Sequence, residues 1–100
     1  MARALESANI AAEFVGTLLL VFLGSFAQIY HNDDPLDVGV CIMFLYIFLT
    51  YSLHATSGAH FNPAISCYYI LTGDFYLKKG LVYIATQFGA SIVGGCMVWL

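Results

Sequence analysis

Leu81–Leu100 is a run of 20 residues without a charged side chain. As a helix rising about 1.5 Å per residue it reaches ~30 Å, the thickness of a bilayer's hydrocarbon core. Two further apolar stretches precede it: Ile10–Tyr30 holds a single charge, Glu13, near its start, and Val38–Ala55 holds none. The second presents aromatic and β-branched residues on every side, the pattern of a helix in lipid rather than of an amphipathic helix on a soluble core. The spacing predicts helix 1 over about 10–30, helix 2 over about 38–55 and helix 3 over about 80–100.

Composition agrees. Hydrophobic residues make up 61% of the chain and charged residues 9%, against roughly 45–50% and about 25% in soluble domains. So few charges cannot cover the surface of a soluble fold, so membrane lipid is the expected solvent. Arg3 ahead of the first apolar run imitates a signal peptide, but the run outlasts the ~7–15 residues of a signal core and is read as a retained helix. A net charge of −3 with three basic residues offers no patch for nucleic-acid phosphates. Cys41, Cys67 and Cys96 form no C-x-x-C pair and read as ordinary thiols. A metal site from His54, His60 and Cys67 has no further support, and no metal or cofactor is expected. The sequence contains no nucleophile with a nearby base, no paired carboxylates and no phosphate-binding glycine loop, so the expectation is not an enzyme.

Between helices 2 and 3 lies a piece that does not fit a full span, HATSGAHFNPAISCYYILTGD from His54 to Asp74. Pro63–Thr72 is helical in pattern and largely apolar, yet ten residues reach only about 15 Å, half a bilayer. A re-entrant loop and half-helix over about 56–73 is therefore expected. Its irregular stretch, with Ser57, Gly58 and His60, survives at membrane depth only beside protein or a water-filled cavity. His54 is read as ending helix 2. Arg3, Lys78 and Lys79 fall on one side of this arrangement and the loop with Asp33, Asp34 and Asp37 on the other, which predicts a cytoplasmic N-terminus and re-entry from the cytoplasm. An odd number of spans would place a tandem second copy upside down, the inverted repeat of many transport proteins.

Asn62, Pro63 and Ala64 open the half-helix. Pro63 suits the first turn, where no intrahelical N–H is lost. Asn62 suits the cap, able to accept from the helix and to present N–H donors beyond it. The helix N-terminus adds a positive dipole end at the midplane.

SGAHFNPAIS resembles the first signature loop of the major intrinsic proteins, the aquaporins and glycerol facilitators. AEFVGT (Ala12–Thr17) and YIATQFGAS (Tyr83–Ser91) resemble that family's first and third helices, in the same order. The resemblance implies an all-α membrane protein: an aquaporin-like half of three transmembrane helices and one re-entrant half-helix, one unit of an inverted repeat. It implies a passive channel for water and small neutral solutes such as glycerol, urea or ammonia, homotetrameric at full length. Asn62 would donate to water in single file, while the carbonyls of Gly58, Ala59 and His60 form an acceptor ladder. His60 would act more through its backbone than its ring. Counting back from Asn62, the selectivity-filter position falls on Ile42, with Phe44 and Tyr46 close enough to take its place if the register shifts. Leu20, Tyr46 and Ile65 would line the apolar wall.

A charge within a span costs ~3 kcal/mol on insertion scales, so Glu13 is expected to face the interior. By resemblance it holds the loop before Asn62; the competing reading is a side chain snorkelling from the helix start. Gln87 is expected either to satisfy loop backbone or to make a plain interhelical bond. Ala85, Gly89, Ala90, Gly94 and Gly95 on helix 3, with Gly16 and Gly24 on helix 1, read as packing residues. A second half bearing another Asn-Pro-Ala and a filter arginine is expected to complete the pore, since no arginine follows Asn62. The end at Trp99 and Leu100 without a polar tail favours an N-terminal half of a longer polypeptide. The alternative is a naturally short, non-conducting subunit that assembles with full-length aquaporins.

Overall fold

The computed structural model describes residues 1–31 and 34–100; Asp33, assigned above to the acidic loop, lies outside the described residues. Four helices follow in order: α1 (Ala2–Tyr30), α2 (Pro35–Ser57), α3 (Pro63–Leu71) and α4 (Leu77–Trp99). Three of them, α1, α2 and α4, are long and apolar enough to cross a membrane.

α1 begins at Ala2 rather than near Ile10. Ala, Leu, Arg and Glu before the apolar run are strong helix formers with no Gly or Pro among them, so nothing stops the helix from running past the hydrocarbon region. α2 starts earlier than Val38 because Asp34 caps it, its carboxylate accepting from the N–H groups of Leu36 (3.0 Å) and Asp37 (3.3 Å), with Pro35 in the first turn. It ends at Gly58, whose φ of +89° turns the chain while its N–H donates to the His54 carbonyl at 2.8 Å. Helix thus persists to Ser57, and the irregular stretch is confined to residues 58–62. α3 has nine residues, about 13 Å.

α1 is the central helix, packed along both α4 and α2, and α3 rests on α4. The α1/α4 approach is close because Gly94 meets α1: a methyl there would stand 3.0 Å from the Leu18 carbonyl oxygen and 3.3 Å from Val21 Cβ. One face of α4 (Gly80, Tyr83, Gln87, Ala90 and Gly94) is buried, whereas Ala85 and Gly95 point outward and Gly89 meets nothing. The small-residue spacing is therefore used on one stripe only. α2 buries only Leu49 and Ser57.

The interior is polar for its size. Glu13, Thr17, Ser57, His60, Ser66 and Gln87 are buried, beside Ala12, Leu49, Ala59, Phe61, Tyr83 and Ala90. Large apolar side chains such as Phe44, Phe48 and Phe88 point outward. In lipid this inside-out distribution is the stable one, because polar groups are costly only where nothing answers them.

Candidate functional site

The five residues between α2 and α3 turn through an unusual backbone. Gly58 (φ +89°), Ala59 (+54°) and Phe61 (+54°) all lie in the left-handed region. Glycine does this freely, but Ala59 and Phe61 each cost about 1–3 kcal/mol there and persist only if their surroundings over-determine them.

Glu13 supplies that determination. One carboxylate oxygen accepts from the His60 N–H (2.9 Å) and the Ser57 hydroxyl (2.8 Å). The other accepts from the Phe61 N–H (2.8 Å) and the Gln87 side-chain amide (2.9 Å). Four donors saturate a carboxylate's roughly four acceptor sites, and bonds to a charged acceptor are the strong ones. Ser57 also accepts from the Ala59 N–H at 3.1 Å. Glu13 and Gln87 thus meet at the loop although they stand on different helices, and both are fully buried. Glu13 does not snorkel.

The His60 ring is engaged as well as its backbone. Its Nδ1 lies 2.9 Å from the Ser66 hydroxyl, which accepts from Gln87 Nε2 at 3.0 Å. The ring stacks on Tyr69 (centroids 4.8 Å, 15°) and meets Tyr83 and Phe75 at 5.2 and 4.9 Å. A loop whose backbone is spent on Glu13 has to bury this side chain, and the ring nitrogen then needs a partner.

On the other flank, Asn62 is the N-cap of α3: its side-chain oxygen accepts from the Ala64 N–H at 2.8 Å, with Pro63 in the first turn. Among the described residues its amide nitrogen donates to no protein group, and the Gly58 and Ala59 carbonyls accept from none. The His60 carbonyl differs, accepting from the Tyr46 hydroxyl at 3.1 Å. Leu20 packs against the cluster of Leu49, Ala59 and Phe61, and Ile65 is half-buried in the first turn of α3. Ile42 stands one helical turn before Tyr46, exposed and beside Gly24 of α1. His54 and Cys67 are exposed, and no group of three or more His, Cys, Asp or Glu that could hold a metal occurs among the described residues.

Four contributors escaped the sequence reading: Ser57, Ser66, Phe61 and Tyr83, whose hydroxyl donates to the Ser57 carbonyl at 2.8 Å. For Tyr83 the signal was present, because Tyr83, Gln87, Ala90 and Gly94 fall at helical spacing on one face of α4.

The major intrinsic protein family matches the chain over residues 2–100. The chain is 31% identical over 87 residues to the glycerol uptake facilitator protein-like 6 of Lactiplantibacillus plantarum, covering 87% of this chain and 40% of that protein. It is 36% identical over 84 residues to aquaporin NIP1-1 of Arabidopsis thaliana, covering 79% and 28%. Against the lens fiber major intrinsic protein of Lithobates pipiens it is 30% identical over 91 residues, covering 88% and 35%. The chain therefore spans 40% or less of these relatives' lengths. No solved structure gives a significant match. With the all-α fold, three spanning helices and a family match along almost its whole length, the chain belongs to the major intrinsic protein family.

Proposed function

We propose that this chain forms one wall of a passive transmembrane conduit for water and small neutral solutes, with Asn62 at its midpoint. The observation that carries the reading is the set of polar groups left over. The Gly58 and Ala59 carbonyls and the Asn62 amide nitrogen have no protein partner among the described residues, though they belong to a short irregular loop between membrane helices. Backbone of this kind at membrane depth needs water beside it. Donors at Asn62 and acceptors before it would orient each passing molecule, and the N-terminus of α3 would repel cations. The names of relatives, a glycerol uptake facilitator and an aquaporin, support the same substrate class.

In this reading Arg3, Lys78 and Lys79 face the cytoplasm, Ile42 contributes to the filter and Leu20 and Ile65 to the wall. A second, inverted unit completes the bore and the assembly is a homotetramer. The second reading is a non-conducting subunit that docks on full-length relatives; it is favoured by α2, of whose side chains only Leu49 and Ser57 are buried.

Asn62→Asp separates the roles of this residue. Asp caps a helix as well as Asn does, so the fold is retained, but both N–H donors are lost and a negative charge appears at the midpoint. Loss of about 1 kcal/mol of hydrogen bonding to the permeant predicts a roughly fivefold fall in osmotic water permeability per folded molecule, with a cation leak. The check is swelling and current in oocytes expressing the complete polypeptide that contains this chain. Unchanged water and ion permeability would remove Asn62 from the conduit.

A further inference from the structure

We infer that Tyr46 is a specificity-determining residue of this conduit, narrowing it beside Asn62 and withdrawing one backbone acceptor from the permeant; this rests on the channel reading above. Of the three carbonyls before Phe61, those of Gly58 and Ala59 have no protein donor among the described residues, whereas that of His60 takes the Tyr46 hydroxyl at 3.1 Å. The acceptor row is therefore two carbonyls long, and where a third would stand it presents a phenol oxygen. That oxygen has spent its proton on His60 and keeps lone pairs, so a permeant meets an acceptor carried on a bulky ring instead of on the backbone.

The ring is held in place. It meets the Phe61 ring edge-on, with centroids 6.2 Å apart and planes at 75°. Phe61 is 4% exposed, its N–H is bound to Glu13, and its ring lies where a side chain on Gly16 would be. Tyr46 thus clamps from α2 the same loop that Glu13, itself bound by Gln87, clamps from α1. It remains only half-buried, leaving part of the ring free to border the bore. A wall residue of this size at a fixed position acts on the ratio of solutes rather than on water alone, because the larger molecule has to pass the same ring.

The test is to compare wild type, Tyr46→Phe and Tyr46→Val of the complete polypeptide in proteoliposomes, measuring water and glycerol permeability per folded molecule, with thermal unfolding recorded for each. Tyr46→Val removes the ring and is expected to raise the glycerol-to-water permeability ratio about tenfold, the scale of a one-group change in a fitted apolar site. Tyr46→Phe keeps the ring and frees the His60 carbonyl; water flux is expected to rise about twofold to fivefold, in line with one added hydrogen-bonding site, with the ratio unchanged. A purely structural role would lower the unfolding temperature without moving the ratio. Folded variants with wild-type flux and ratio overturn the assignment while leaving the channel reading intact. A wild type no more permeable than protein-free liposomes overturns both.

Discussion

Glu13→Ala is expected to destroy the ordered loop and with it cooperative unfolding. The carboxylate satisfies four buried donors, the Ser57 hydroxyl, the N–H groups of His60 and Phe61, and the Gln87 amide. A buried donor left without its partner costs about 1–3 kcal/mol, so the four together exceed about 4 kcal/mol, a large part of the roughly 5–15 kcal/mol that holds a domain. The left-handed conformations of Ala59 and Phe61 lose their restraint at the same time. Glu13→Gln is the graded case. Its carbonyl can keep two donors, while its NH2 group faces the other two, so about half the loss is expected. For a polypeptide of roughly 150–250 residues each kcal/mol is about 2–4 °C of melting temperature, which puts Glu13→Gln at least about 4 °C below wild type. Thermal unfolding in detergent checks both variants. A Glu13→Ala protein that melts cooperatively within a few degrees of wild type would show that the carboxylate is not what holds the loop.

The second large effect is expected at Gly16. A methyl group there runs into the Phe61 ring, and the ring has little room to retreat because its backbone is tied to Glu13 and its edge meets Tyr46. Overpacking of this kind costs about 1–3 kcal/mol for small increments and more for large ones. Glycine to alanine in a helix would otherwise gain about 1 kcal/mol, so the sign of Gly16→Ala reports whether contact or propensity wins. Destabilisation is expected, with Gly16→Leu failing to fold. Adding Phe61→Leu to Gly16→Ala should recover stability with a coupling of about 1 kcal/mol or more. A Gly16→Ala protein more stable than wild type, with no coupling to Phe61, would contradict the packing described.

Much of this was legible because membrane helices announce themselves by what they exclude. An uncharged run such as Leu81–Leu100 has few other structures open to it, and Asn62-Pro63 carries its capping role in its own chemistry. Glu13 and Gln87 were visible as polar side chains in apolar spans that had to find partners. Resemblance pointed Glu13 to the loop before Asn62, but its bond to Gln87 was not visible, since Gln87 reaches Glu13 across most of the chain and local spacing says nothing about that distance. The start of α1 was missed because hydropathy marks where lipid begins, not where a helix does, and Ala2–Ala8 carries no stop signal. The backbone of Ala59 and Phe61 was illegible for a different reason: neither residue favours the left-handed region, and only the donors gathered on Glu13 put them there. Tyr46 was named by resemblance alone and not with a hydrogen bond, because where its hydroxyl lands depends on the path of a loop fourteen residues later.

We propose that the loop held by Glu13 borders a continuous path for water. It is tested most directly by reconstituting the complete polypeptide into liposomes and following osmotic shrinkage by stopped-flow light scattering over a range of temperatures. Shrinkage well above that of protein-free liposomes is expected, with a temperature dependence as shallow as that of water diffusing in bulk and ion permeability at background. Shrinkage no faster than bare lipid, from protein shown to be folded and inserted, would contradict it and leave the non-conducting subunit as the reading to pursue.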